Sequence, residues 1–277
     1  MSTHAPRQAP EGPGPLVYGD VSTRRAWRQG PQWFAEHYHD AADQVIEFLA
    51  GDGIELGGKR VADIGCGDGI IDLGLVHRAA PHRLVGFDLQ ATDEELLLRM
   101  AVESGAADSL PENLEFQACG ETELPAETGA FDVVVSWSAF EHIEDPISQL
   151  REIRRVLADD GILFIQVWPF YDSEHGSHLW GWYPEGFAQF LHSDDEIDAK
   201  LRAENFGDPG WSDRMLDIFH TLNRVGVDAL HRSLLAAGFH VAKAELITNA
   251  VHIPPALAHI PLSVLGIGGV KLLARPR

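Results

Sequence analysis

The sequence predicts an α/β protein built on a doubly wound parallel sheet. Two observations predict it. Between residues 59 and 169, about a hundred residues, strand-like apolar runs alternate with helical stretches, which is the rhythm of right-handed βαβ crossovers. The first strand ends in VADIGCGDG (61–69), whose alternate glycines let the chain turn sharply and a ligand lie close to the backbone. In such sheets ligands bind outside the carboxyl ends of the strands, where the strand order reverses.

The elements follow in order. WFAEHYHDAADQVIEFLAG (33–51) sets Phe34, Tyr38, Ala41, Ala42, Val45, Phe48 and Leu49 at helical spacing and stops at Gly51, an amphipathic helix ahead of the core. KRVADIG (59–65) is a strand, GIIDLGLVHRAA (69–80) a helix ended by Pro81, and RLVGFDL (83–89) a second strand. TDEELLLRMAVESG (92–105) opens with Thr92 and Glu95 in capping-box spacing and closes at Gly105, so a helix is expected. NLEFQAC (113–119) and FDVVVSWS (131–138) are the third and fourth strands. A helix then begins at Asp145, with Pro146 in its first turn and Ile147, Leu150, Ile153 and Leu157 on its buried face. GILFIQVWP (161–169) is the fifth strand. From Phe170 to about Val225 the rhythm breaks into a segment rich in Trp, His, Gly and acids, placed where a substrate lid belongs. Within it Ser193 to Glu196 has the spacing of a helix cap. VDALHRSLLAAG (227–238), HVAKAELIT (240–248) and GGVKLLA (268–274) add a helix and two strands. The expected organisation is a flexible leader at 1–20, a helical cap at 21–58 and a catalytic domain at 59–277 with an insertion at 170–225.

Composition narrows the class. With 277 residues, 45% apolar and 23% charged, the chain is globular, and its apolar runs break well before the ~18 residues that would span a bilayer. The start, with Pro6, Pro10, Pro13 and Pro15, lacks the pattern of a secretion signal. A net charge of −21 repels nucleic-acid backbones and anionic membranes, and the pairs Arg24-Arg25 and Arg154-Arg155 make no basic patch. The two cysteines, Cys66 and Cys119, suit reduced thiols in the cytosol. The expectations are a cytoplasmic protein, a small-molecule substrate, no nucleic-acid partner and no membrane partner.

The glycine spacing G-C-G-D-G is not the dinucleotide G-x-G-x-x-G, which argues against a dehydrogenase or epimerase. Asp63 lies within the first strand, and Asp88 closes the second, where a carboxylate can accept both hydroxyls of a ribose. VADIGCGDG, LVGFDL, FDVVVSWSAFEHIEDP and LADDGILFIQ, in this order, resemble the class I S-adenosylmethionine-dependent methyltransferases over residues 59 to 169. The resemblance implies a Rossmann-like seven-stranded sheet of order 3-2-1-4-5-7-6 with the last strand antiparallel. It implies S-adenosylmethionine as cofactor and S-adenosylhomocysteine as product. Asp63 is expected to organise the glycine loop and face the methionine amino group, with Gly65, Cys66, Gly67 and Gly69 admitting the methionine and ribose. Asp88 is the expected ribose clamp, with Leu89 beside the adenine. CGETELP (119–125) matches the adenine loop, although Gly120 stands where relatives often carry aspartate, leaving Glu121 or a backbone carbonyl to meet the adenine amine. Ser136 and Trp137 match positions along the methionine arm. Singly, Asp63 and Asp88 also fit ordinary turn residues, and Cys66 fits a small packing residue.

A sulfonium methyl is already activated, so the protein must align the acceptor and remove its proton. His142 lies just past the fourth strand, and His175 and His178 in FYDSEHGSHLWGWYPEGF (170–187) are further candidates. His142 is also open to an orienting or packing role. The run Asp172, Glu174, His175, His178 is open to three roles: acceptor contacts, a divalent metal, or a solvated loop. Acceptor contact is the expectation and a metal is not favoured. Trp27, Trp33 and Tyr38 either close over the cofactor or pack in the core. A looser similarity from His178 to Val241 to methyltransferases of sugar and natural-product biosynthesis suggests an oxygen acceptor on a small molecule. Nitrogen or carbon acceptors, metal-assisted transfer, and a cofactor-binding protein without transfer are the alternatives.

Overall fold

Alternation of buried side chains along the strands places helices on both faces of one sheet. The computed structural model describes residues 30–204, 209–248 and 250–277; the leader, Arg24-Arg25 and Trp27 lie outside the described residues. The strands are β1 (Arg60–Ile64), β2 (Arg83–Asp88), β3 (Leu114–Ala118), β4 (Phe131–Trp137), β5 (Leu157–Val167), β6 (Phe239–Thr248) and β7 (Ile267–Pro276), in the order β3-β2-β1-β4-β5-β7-β6. Pairings among β1 to β5 are parallel, and β7 runs antiparallel to both β5 and β6. This is the mixed seven-stranded Rossmann-like architecture. Strand order reverses between β1 and β4, so their carboxyl ends open one crevice.

The first helical stretch is α1 (Pro31–Ala35), a π-helical segment (Glu36–Ala41) and α2 (Ala42–Ala50). Then come α3 (Ile70–Ala79), α4 (Glu94–Glu103) and α5 (Pro146–Val156). Val61, Val133, Val135 and Phe164 pack beneath α1 to α4, while Ala62, Ile64, Val134 and Ile165 face the other way, against α5 and α9 (Val227–Ala236). Between β5 and α9 lie α6 (Ala188–Leu191), α7 (Asp194–Ala203) and α8 (Pro209–Thr221). These helices gather a core of their own, with Leu179, Trp182, Tyr183, Ile197, Leu201 and Phe219 buried together. After β6 comes α10 (Leu262–Leu265), which leads into β7.

Two local expectations are corrected. The cap of α4 is Asp93, whose carboxylate accepts from Leu96 N at 2.9 Å; Thr92 instead donates to the Gly67 carbonyl at 3.0 Å, because the glycine loop lies directly against it. β5 begins at Leu157 rather than Gly161, since Ala158 to Gly161 are absorbed in an irregularity opposite Phe131 to Val133. The caps at Asp145 and Ser193 form as expected: Ser148 N donates to Asp145 at 3.0 Å, and Ser193 and Glu196 make a full capping box.

Candidate functional site

The loop after β1 is built on three left-handed glycines, Gly65, Gly67 and Gly69, at φ of 79°, 55° and 75°. They do different jobs. A Cβ on Gly65 would collide with Ala139, and one on Gly69 would meet the Phe116 ring at 2.5 Å, so both are tight packing positions. Gly67 is exposed, and a Cβ there would have nothing within 4 Å. Gly67 is therefore the open side of the loop. Its N–H donates to the Asp88 carboxylate at 2.9 Å, which places the end of β2 directly beside the loop. Asp68 is engaged within the protein, accepting from Ile70 N at 3.1 Å and from the Trp33 indole at 2.8 Å.

Asp63 sits under this loop, 2% exposed, on the strand face that meets α3. There it faces Asp72, which is fully buried and which the sequence reasoning missed. Burial pushes Asp63 up to about 7 and Asp72 well above the usual carboxylate range, each raised further by a neighbouring negative charge. Neither Asp72 oxygen has a donor partner other than the facing acid, so a hydrogen bond between the two carboxyls exists only when one carries a proton. An acid on the inward face of an otherwise apolar helix, in IIDLGLV (70–76), was the signal available in the sequence. Burial and the same carboxyls raise the Cys66 thiol far above its ordinary value, and its Sγ lies 3.5 Å from Thr92 Oγ1.

Around the crevice the other expected positions separate. Leu89 is 61% exposed beside Asp88, and Glu121 is exposed in the loop after β3. Gly120 N donates to Glu123 O at 3.0 Å and Cys119 N to Asp88 O at 2.8 Å, which fixes that loop against β2. Ser136 does not face the crevice: it is fully buried and its hydroxyl donates to Ile64 O at 2.7 Å, tying β4 to β1. Trp137 stacks on Phe164 at 6.5 Å. The next residue, Ser138, has φ 48° and donates from both N and Oγ to the Gln166 side chain, at 3.0 and 2.8 Å. Trp33 reaches the glycine loop, whereas Tyr38 is buried and shares a hydrogen bond with His77 at 2.8 Å.

The histidines divide as well. His142 and His178 meet edge to face at 5.2 Å, beside Glu141. His175 points elsewhere, to a small cleft with Trp168, Pro169, Glu174 and Leu265, and its Nε2 lies 3.6 Å from Glu174. The run Asp172, Glu174, His175, His178 thus does not converge on one point; among the described residues the set able to share an ion is Glu141, His142 and His178. Glu141 was not singled out in the sequence. It is 5% exposed, both its oxygens lack partners, and burial pushes it up to about 8. Asn223, between α8 and α9, clamps this turn by donating to Phe140 O at 2.5 Å and Ile143 O at 2.8 Å, while Asn223 N donates to Glu141 O at 3.0 Å.

Residues 34–208 match a family model described as a methyltransferase domain. The chain belongs to this methyltransferase family. Among curated relatives of this methyltransferase-family chain, the ubiquinone biosynthesis O-methyltransferase of Haemophilus ducreyi is 32% identical over 39% of this chain and 44% of its own. The tRNA U34 carboxymethyltransferase of Campylobacter concisus is 28% identical over 54% of this chain and 50% of its own. The chain thus spans about half the length of the curated relatives it matches. Among solved structures, geranyl diphosphate C-methyltransferase from Streptomyces coelicolor, in complex with Mg2+, geranyl diphosphate and S-adenosyl-L-homocysteine, superposes with a TM-score of 0.54. That likeness covers 86% of this chain and 80% of the other at 15% identity, and it is one of fold.

Proposed function

We propose that the protein transfers a methyl group from S-adenosylmethionine to a hydroxyl oxygen of a small molecule. The observation that carries this is Gly67, the one open glycine of the loop, with its N–H on Asp88 at the switch point of a methyltransferase-family sheet. The residues fit the cofactor: Gly67 leaves room against the backbone, Asp88 offers a carboxylate to ribose hydroxyls, and exposed Leu89 offers an apolar surface to a purine ring. When bound, the cofactor supplies an electrophilic methyl on a positively charged sulfur. The Asp63–Asp72 pair is raised by burial, so a cationic ligand above the loop would favour its ionised form and be favoured by it in return. Gly65, Cys66 and Gly69 hold the loop's shape, Ser136 and Trp137 the strand end beneath it, and Gly120 and Glu121 flank the purine.

The acceptor lies between the turn after β4 and the lid at 170–225. His142 and His178 border that space, and an imidazole there takes the hydroxyl proton as the oxygen attacks in line with the S–CH₃ bond. His175 faces another cleft and is the weakest of the three catalytic candidates. The oxygen acceptor is supported by the named activity of the Haemophilus ducreyi relative. The Campylobacter concisus relative is named for tRNA, but a net charge of −21 favours a small molecule over a nucleic acid here. No helix among the described residues is long and apolar enough to cross a membrane, and we place the protein in the cytoplasm on its two free thiols.

Calorimetry with S-adenosylhomocysteine tests the cofactor, with binding accompanied by a ligand-dependent rise in melting temperature expected. Absence of heat at millimolar ligand sinks the proposal. Transfer of labelled methyl to a panel of phenols and sugars, against amines and tRNA, tests the acceptor.

A further inference from the structure

We propose that Glu141, His142 and His178 form a binding site for one divalent first-row transition ion of the zinc class. One ligand atom from each lies within 4.8 Å of the other two. The donor set is two imidazoles and one carboxylate. Borderline ions such as Zn²⁺, Co²⁺ or Fe²⁺ favour it over Mg²⁺, which prefers oxygen donors.

The second observation is Glu141 itself. Its carboxylate is almost completely buried, beside Phe140, Pro146, Val167 and Phe170, and neither oxygen has a hydrogen-bond partner. A buried carboxylate without a donor is costly unless something positive meets it. Asn223 holds the Glu141–His142 turn from the lid side through three hydrogen bonds. On the lid, His178 takes a left-handed backbone at φ 62°, and its ring stacks on Trp180 at 5.9 Å. Such backbone conformations in non-glycine residues gather where a side chain must be aimed. Ligand atoms around a tetrahedral ion with bonds of about 2.0–2.2 Å sit roughly 3.3 Å apart, so a contraction of at most about 1.5 Å from the 4.8 Å limit closes the site.

The site joins β4 to the lid, so an ion there would couple lid position to the crevice. It also leaves coordination positions open, as catalytic rather than structural sites do. With an ion bound the two imidazoles would be ligands and not bases, so an acceptor hydroxyl entering an open position would give its proton to water instead, and its oxygen would bond the methyl as the S–C electron pair stays on sulfur. That role rests on the methyl-transfer proposal, whereas the ion site does not.

The test uses the full, untagged chain, stripped with chelator and titrated with ZnCl₂ by calorimetry and with CoCl₂ by visible absorption. One ion per chain at micromolar affinity or tighter is expected, with the d–d bands of Co²⁺ in a low-coordinate nitrogen and oxygen site. His142→Ala and His178→Ala should each weaken binding by at least about tenfold, while His175→Ala binds as the parent does. Glu141→Gln should weaken it too; if that buried variant fails to fold, as read by circular dichroism, the lid-borne His178→Ala carries the test alone. No saturable binding, parental affinity in His178→Ala, or Mg²⁺ binding as tight as Zn²⁺ overturns the site. S-adenosylhomocysteine calorimetry on the same samples separates the two proposals, since its failure counts against methyl transfer and leaves the ion result standing.

Discussion

Gly65 and Gly67 are two residues apart and share a backbone conformation, yet substitution should separate them. Gly65→Ala forces a Cβ into Ala139 at a left-handed φ and should cost more than ~2 kcal/mol in a urea melt. Gly67→Ala meets open space and should cost only about 1 kcal/mol. Its effect belongs on S-adenosylhomocysteine affinity, lowered about tenfold by calorimetry as the methyl fills the ligand's place against the backbone; unchanged affinity would move the ligand off the loop. Asp63 and Asp72 set a pH dependence of stability in the ligand-free protein. Both are raised above their unfolded values, so the folded state holds its protons more tightly. The stability they contribute is present below about pH 4 and is lost as pH rises through about 7. Asp72→Asn keeps the shape and removes one acid. It should flatten that decline and raise stability at pH 8 by ~1–3 kcal/mol, measured by chemical denaturation at pH 5.5 and 8. An unchanged slope would show that the two acids do not titrate as a pair.

At the scale of elements, the helix caps and the lid clamp carry separable consequences. Ser193 and Glu196 close the start of α7, so Ser193→Ala should cost about 1 kcal/mol and little else. Asn223→Ala removes two hydrogen bonds to the turn bearing Glu141 and His142. We expect kcat to fall at least tenfold while S-adenosylhomocysteine affinity holds, because the loop after β1 is untouched; equal losses in both would mean the clamp supports the whole crevice. Most element ends were legible because capping residues and glycines act locally. Thr92 was misassigned as a cap for a complementary reason: its hydroxyl goes to the Gly67 carbonyl, 25 residues away in sequence.

Across the molecule, the sheet has packed faces on both sides, while α6 to α8 depend on a core of their own. Amides of α7 and α8 should therefore exchange before those of β1, β4 and β5, since a smaller cluster opens at lower free energy; uniform protection would show that α6 to α8 and the sheet unfold together. The net charge of −21 acts at the same scale. A gel-shift with tRNA at physiological salt should show no complex, and a salt-sensitive shift would restore a nucleic-acid acceptor.

The doubly wound sheet and the glycine loop could be read from the chain because hydrophobic periodicity, turn glycines and strand-end acids are local signals, and four of them recur in a fixed order. Which residues meet across the crevice was decided by tertiary structure. Asp72 joins Asp63 because α3 packs back on β1, Ser136 turns inward because β1 lies beside β4, and His178 leaves His175 for His142 because the segment after β5 returns over the turn after β4. Spacing along the chain carries no information about such pairs, since the segments between them fold independently of that spacing. The sequence by itself determined the scaffold and the sheet edge that carries the glycine loop; the packing of α3 and of the segment after β5 onto that edge decided which carboxyls and imidazoles share it.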